Sequence, residues 1–406
     1  MNTAPRTSRH IAFFSGDITR SGGTERVATT IANALVARYV DTDVNVAGTN
    51  ATNTADVTTI AGEPPVRISF VSLFEEHDDP CFPIDERIRR FALYPFAVHG
   101  VWRYAATVAK LFSFVRRQQV DVLVDIDGIL DLYALPVKRL TGVSVVSWEH
   151  FNCLTNPDVP YRELTRRWAA RRADRIVTLT DTDRALYERR FATRRQVVAI
   201  PNPMPAVTPA PTYDAGSRLI LSAGRLTRQK GFDLLVDVAA RVLPDRPDWR
   251  WVILGDGEDR PMLERRIADA GLDGRLTLAG QTDDMDGWMR RAAMFVLTSR
   301  YEGLPMVLLE AKAHRLPIAA FDCPTGPADI VTDGLNGWLV DELSVTDMAR
   351  CVASLMDDEE LRRRFARHAL DDARRFDRDA IVTQWAALLD GLPVLTRSAR
   401  RRRHAR

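Results

Sequence analysis

Short apolar runs alternate with helical segments along most of this chain, and that alternation leaves room for little other than parallel sheets covered by helices. The runs at 11–14, 44–47, 66–71, 122–126, 143–148, 176–179 and 197–200 read as strands of a first doubly wound domain. A proline-rich stretch, 201–211, follows and reads as a linker. A second set of strands is expected at 219–223, 251–254, 276–279, 294–298, 318–321 and 338–340. At 406 residues the chain can bury two cores of this kind.

The most informative stretch lies in the second half. An apolar run, 293–298, leads into Ser299-Arg300-Tyr301-Glu302-Gly303-Leu304-Pro305 and then into a helix expected over 306–314. Gly303 permits a sharp turn, and Pro305 sits where a helix needs no N–H. The helix start offers free N–H groups suited to phosphate. Glu302 precedes it and Glu310 lies within it, flanked by the apolar Leu308 and Leu309. Two carboxylates on either side of an anion-binding helix start suit a ligand with a sugar at each end and phosphates between.

Two glycine-bounded loops add to this. Gly224-Arg225-Leu226-Thr227-Arg228-Gln229-Lys230-Gly231 follows one strand and precedes a helix expected over 232–242. Arg225 offers a planar fork and Lys230 a point charge, a combination that clamps a diphosphate. Gly255-Asp256-Gly257 ends the next strand at the same sheet edge, where open α/β sheets bind ligands. Near the start, a strand runs into Ser21-Gly22-Gly23-Thr24-Glu25-Arg26 and an amphipathic helix, so a backbone can approach a ligand closely there. It is not a dinucleotide fingerprint, because the G-x-G-x-x-G spacing and its acidic partner are absent.

Composition sets limits. With 46% apolar and 27% charged residues the chain is that of a water-soluble globular protein, and no apolar run is long enough to span a membrane. The first ten residues lead into no apolar segment of secretory type, so a cytoplasmic location is expected. The four cysteines, Cys81, Cys153, Cys323 and Cys351, form no CxxC pair and read as reduced thiols. Six arginines crowd the last ten residues, leaving 50 basic against 54 acidic side chains elsewhere. That tail suits an anionic membrane surface or nucleic acid, and equally a disordered solubilising end; no nucleic-acid partner is expected. A helical segment within 95–117 carries Arg103, Lys110 and Arg117 beside Trp102, Leu111, Phe112 and Val115. It reads either as a membrane-surface helix or as a core-facing amphipathic one.

Taken in order, Ser21–Arg26, Ile200-Pro201-Asn202-Pro203, Gly224-Arg225-Leu226 with Lys230-Gly231, and Glu302-Gly303-Leu304-Pro305 with Glu310 give the chain its likeness. It resembles the GT4-type (group 1) family of retaining glycosyltransferases, whose E-x7-E motif matches Glu302 to Glu310. The resemblance implies the α/β GT-B fold, two Rossmann-like doubly wound domains facing across a cleft. The expected division is 1–203 for acceptor binding, 204–376 for the nucleotide-sugar, a helix at 377–392 that crosses back to the first domain, and a basic tail at 393–406. The two domains would close over the donor to exclude water.

The resemblance further implies roles. Arg225 and Lys230 would bind the donor diphosphate, Glu310 the ribose, and Glu302 the hexose near its anomeric centre. Gly303 and Leu304 would line the donor site, and Gly23 would present a backbone N–H to it. His150, in Trp148-Glu149-His150-Phe151-Asn152, stands where the family often places a histidine facing the sugar. No metal or cofactor is implied, and Asp125-Ile126-Asp127, although spelled like a metal motif, is read as not metal-binding. The segment 322–330 is similar to that of bacterial capsule and exopolysaccharide transferases, where Thr325 and Gly326 would lie against the donor phosphates. That group implies UDP-galactose, UDP-N-acetylgalactosamine or UDP-glucose as donor and a polyprenyl-diphosphate-linked or growing polysaccharide as acceptor, worked on at the inner face of the plasma membrane. The alternatives are a non-catalytic nucleotide-sugar-binding protein and a sugar-nucleotide epimerase; a pyridoxal-phosphate phosphorylase would need a Schiff-base lysine such as Lys312 or Lys230. One departure concerns Ala313-His314-Arg315-Leu316-Pro317, where the family usually closes the helix with glycine near Arg315.

Overall fold

In a computed structural model the chain forms two compact units, one of Met1–Ile200 with Ile381–Arg406 and one of Pro201–Ala380. The structure describes residues 9–48, 66–98, 103–154, 160–193, 196–207, 209, 212–341 and 343–393. The basic tail expected at 393–406, from residue 394 onward, and part of the proline-rich stretch lie outside them.

The first unit holds a seven-stranded parallel sheet. Its strands are β1 (Arg9–Ser15), β2 (Val66–Ser72), β3 (Arg89–Ala92), β4 (Val122–Asp125), β5 (Ser144–Trp148), β6 (Arg175–Thr178) and β7 (Val197–Ala199). They lie in the order β3-β2-β1-β4-β5-β6-β7. The second unit holds six: β8 (Leu219–Ala223), β9 (Arg250–Leu254), β10 (Leu276–Gly280), β11 (Met294–Leu297), β12 (Ile318–Phe321) and β13 (Gly337–Val340). Their order is β10-β9-β8-β11-β12-β13, again parallel. Central strands such as β4, β5, β11 and β12 are buried along their whole length. Helices on both faces require this, and each large apolar side chain so buried stabilises the fold by about 1.5–3 kcal/mol.

Two readings are corrected. The run at 44–47 is the end of the Gly23–Gly48 helix rather than a strand. A short apolar run carries no signal that separates a strand from a helix tail, and here the helix continues into it. The four-residue β3 was not anticipated, because Arg-Arg-Phe-Ala at a half-exposed sheet edge has no apolar pattern. The segment at 95–117 contains the helix Tyr104–Arg117, whose Leu111, Phe114 and Val115 pack in the core of the first unit. Lys110 donates to the Leu93 carbonyl at 3.0 Å and sits 4.7 Å from the centre of the Tyr94 ring. The helix Arg378–Asp390 brings Trp385 against Trp148 at 4.6 Å between ring centres, inside the first unit.

The helix carrying Glu310, Met306–Ala313, ends in a full Schellman turn: Leu316 N–H donates to the Ala311 carbonyl at 3.0 Å and Arg315 N–H to Lys312 at 2.9 Å. Arg315 is therefore left-handed, with φ at 59°, the conformation that glycine adopts without a Cβ clash. His314 helps hold the turn, with Nδ1 2.8 Å from the Glu310 carbonyl and Nε2 2.8 Å from Asp286. Arg315→Gly is expected to stabilise the second unit by about 0.5–1 kcal/mol, the strain removed less glycine's greater chain entropy. A rise in the urea midpoint would show it; an unchanged or lowered midpoint contradicts it.

Behind β4, the buried Asp125 and Asp131 lie together, and the Ser147 hydroxyl donates to Asp131. Burial pushes Asp131 up to about 7 despite that bond, and burial with the neighbouring Asp131 charge holds Asp125 well above the carboxylate range. The unfolded chain gives up these protons near pH 4 while the fold keeps them. Stability thus falls as the pH rises above about 4, and the Asp131 share levels off above pH 7. Asp131→Asn should leave stability near pH 4 little changed and raise it at pH 8. Urea titrations at the two pH values giving the same difference would exclude this account.

Candidate active site

In the second sheet the chain runs outward from β8 through β9 to β10, then returns to β11 on the other side of β8. The loops after β8 and β11 therefore diverge at a switch point, where open α/β sheets bind ligands. These loops are 224–231 and 298–305, the two glycine-bounded segments singled out above.

They are joined residue by residue. Arg300 N–H donates to the Gln229 carbonyl at 2.8 Å, Gln229 Nε2 to the Tyr301 carbonyl at 3.1 Å, and the Thr298 hydroxyl to the Lys230 carbonyl at 3.2 Å. The Arg300 guanidinium reaches the Arg228 carbonyl at 2.8 Å and grips both oxygens of Asp233 at 2.8 and 2.7 Å. Asp233 stands in the first turn of the helix Phe232–Val242, and this bidentate pair holds its carboxyl below the usual range despite partial burial. Gly231 makes the approach possible: φ is +65°, and a Cβ there would lie 2.0 Å from the Thr298 carbonyl oxygen.

The consequence is that Lys230 Nζ lies 2.6 Å from Glu302 Oε1. Glu302 and Glu310 are 5% and 6% exposed, so neither is a solvated surface carboxylate. Arg225 is exposed, and its guanidinium makes no hydrogen bond or ion pair with a described residue. Gly303 and Leu304 are buried in the turn between Glu302 and the helix.

A third loop closes the frame. The Thr325 hydroxyl donates to the Glu302 carbonyl at 2.7 Å. Gly326, at φ +98°, packs its Cα so closely that a Cβ would meet the Gly303 carbonyl and Pro305 at 2.7 Å. Its N–H donates to Asp329 at 3.2 Å, so the Thr325 hydroxyl and the Gly326 N–H serve the frame itself. Behind the loops, the buried Lys312 donates to the Ile330 carbonyl at 3.1 Å and pairs with Asp372 at 2.6 Å. Burial lowers its pKa, and the Asp372 charge opposes that shift.

The other unit holds Gly23 and His150. Gly23 is the exposed first residue of the Gly23–Gly48 helix, where main-chain N–H groups lack intrahelical acceptors. His150 follows β5, 4.4 Å from Trp148 between ring centres. Burial brings its pKa down to about 3, so the ring is neutral, and Nε2 is buried with no hydrogen-bond partner among the described residues. Asp125 lies against Asp131, and Asp127 pairs with Arg162 at 3.1 Å. Among the described residues no three metal-ligating side chains converge.

Sequence reading missed Gln229, Asp233, Thr298 and Arg300, which join the loops, and weighed Lys312 only as a Schiff-base candidate. Arg300 and Asp233 lie 67 positions apart, so no local pattern connects them. Lys312, in a helix whose other residues apart from Glu310 are apolar, was the one legible signal, since a buried ammonium needs a partner.

The arrangement has known counterparts. Residues 22–203 match the glycosyl transferase 4-like domain, and residues 209–372 match the glycosyl transferases group 1 family. An uncharacterised glycosyltransferase of Haemophilus influenzae is 26% identical over 94% of this chain and 100% of its own length. The amylovoran biosynthesis glycosyltransferase AmsD of Erwinia amylovora is 27% identical over 92% of this chain and 97% of its own. In fold, HepE of Anabaena in complex with UDP-glucose matches with a TM-score of 0.73 at 17% identity, covering 94% of this chain and 100% of HepE. The sucrose-phosphate synthase of Thermosynechococcus elongatus gives 0.75 at 17%, covering 94% and 98%. With both halves matched in order and a cation-carboxylate site at the switch point of the second sheet, the chain belongs to the group 1 glycosyltransferases of GT-B fold and is a glycosyltransferase.

Proposed function

We propose that this glycosyltransferase moves a hexose from a UDP-sugar to a lipid-linked or growing polysaccharide, with retention of anomeric configuration and without a metal. The observation that carries this reading is the meeting of Lys230 and Glu302 at the switch point, 2.6 Å apart, with the exposed Arg225, which pairs with no described residue, on the Lys230 loop.

Glycosyl transfer develops positive charge on the sugar and negative charge on the departing diphosphate. Arg225 and Lys230 stabilise the diphosphate as preorganised cations, the task that a metal performs elsewhere. Asp125 and Asp127 are engaged with Asp131 and Arg162, which favours this assignment of the charge balance to the two cations. Glu310 binds the ribose, and Glu302 addresses the hexose. The bond from the anomeric carbon to the β-phosphate oxygen breaks as the acceptor oxygen attacks the same face. The acceptor's proton passes to that phosphate oxygen. His150, neutral and with Nε2 unpartnered among the described residues, suits a hydrogen bond to a sugar hydroxyl, since a neutral ring adds no charge against the cationic sugar.

AmsD, named for amylovoran biosynthesis, supports a polysaccharide product, and the HepE complex supports a UDP-sugar donor. A polyprenyl-diphosphate acceptor places the reaction at the inner face of the plasma membrane. None of the described helices is long and apolar enough to cross a membrane.

Nucleotide release should be measured with UDP-, GDP- and ADP-sugars, with and without membrane lipid extract and EDTA. Release from one UDP-sugar, raised by lipid and indifferent to EDTA, is expected, with the donor's anomeric configuration kept in the product. Arg225→Ala and Lys230→Met should each lower kcat/KM by about 100-fold, typical of removing one charge-stabilising donor. Release from GDP- or ADP-sugars alone, loss with EDTA, or an inverted product would overturn the corresponding part of the reading.

A further inference from the structure

The two cations of the clamp differ in one respect that their proposed task does not require. Arg225 is exposed and makes no pair with a described residue, whereas Lys230 Nζ is held 2.6 Å from Glu302 Oε1. The side chains of Lys230 and Glu302 are only 19% and 7% exposed, so water screens the pair weakly. Accepting the clamp reading above, we propose that Glu302 is the counter-ion of Lys230 in the donor-free enzyme and that the donor diphosphate takes its place.

The surroundings permit that exchange through side chains alone. The Lys230 carbonyl is fixed by the Thr298 hydroxyl and the Glu302 carbonyl by the Thr325 hydroxyl, while Arg300 joins the two loops on either side. Neither main chain has to move when the ammonium changes partner. A lysine ammonium has three donors and could touch both anions, but a diphosphate beside a carboxylate at this distance repels it. Arrival of the donor therefore turns Glu302 away from Lys230, and the donor's hexose offers the displaced carboxylate a hydrogen bond.

This couples the two ends of the donor. An intact nucleotide-sugar separates the pair and offers the carboxylate a new partner, its hexose hydroxyls. The nucleoside diphosphate left after transfer separates the pair and offers nothing in return. Re-formation of the ion pair then opposes retention of the product, so Glu302 discriminates between donor and spent nucleotide as well as addressing the sugar.

The test is equilibrium binding of UDP, without sugar or acceptor, to wild type, Glu302→Gln, Lys230→Met and the double variant, with Glu302→Ala as a second removal of the carboxylate. Removing the charge of Glu302 is expected to tighten UDP binding by about five- to tenfold, the scale of a partly buried ion pair. In the Lys230→Met background the same change should have no effect. Weaker UDP binding on removal of the carboxylate, or equal tightening with and without Lys230, would overturn the exchange. If Arg225→Ala and Lys230→Met both leave UDP affinity unchanged, the clamp reading fails first and takes the exchange with it.

Discussion

The site in the second unit depends on the close approach of two loops that leave the sheet in different directions. Strand order alone makes them diverge from neighbouring strands, which opens a crevice but does not set its chemistry. What sets it is contact at Gly231, whose missing Cβ admits the Thr298 carbonyl. From there the hydrogen bonds of Gln229, Thr298 and Arg300 follow in register, and Arg300 carries the connection to Asp233 at the start of the next helix. A side chain at position 231 would have to push the strand end or the loop aside, and Lys230 would move with it. One glycine thus places a cation opposite a carboxylate.

How much of this was readable beforehand differs by level. Both parallel sheets were legible, because the buried strands are mostly apolar and most are followed by a turn and a helix. The errors fall where that signal is absent: 44–47 is apolar but continues a helix, and β3 is a strand without an apolar face. At the site, the residue types were legible and the geometry was not. Arg225, Lys230, Glu302 and Glu310 stand out as charges on glycine-bounded loops or in an apolar helix. That Lys230 pairs with Glu302 while Arg225 pairs with no described residue cannot be read from spacing, because 72 positions separate the partners. Likewise the bonds of the Thr325 hydroxyl to the Glu302 carbonyl and of the Gly326 N–H to Asp329 cannot be read from spacing.

The departure at Arg315 shows how a local rule can be broken without loss of the element. The Schellman turn needs a left-handed residue, and a non-glycine there is strained. The turn nonetheless keeps both of its main-chain bonds, and His314 adds contacts to the Glu310 carbonyl and to Asp286 of the helix Met285–Arg291. The helix bearing Glu310 is thereby fixed at its end by side-chain chemistry in place of backbone freedom. Its other tether, Lys312, spans to Ile330 and Asp372.

These tethers explain why the adjustable part of the site is small. Thr325 fixes the front of the Glu302 loop, Lys312 and His314 fix the back of its helix, and Gly326 packs against the turn between. Main-chain positions held from several sides leave rotamers as the remaining freedom, and a charged rotamer moves only when another charge replaces its partner. A half-buried ammonium left without an anion costs about 1 kcal/mol, the scale that keeps Lys230 against Glu302 until another anion arrives. Rigid backbone and exchangeable counter-ions are therefore two sides of one arrangement: the first makes the second the lowest-cost response to an anionic ligand.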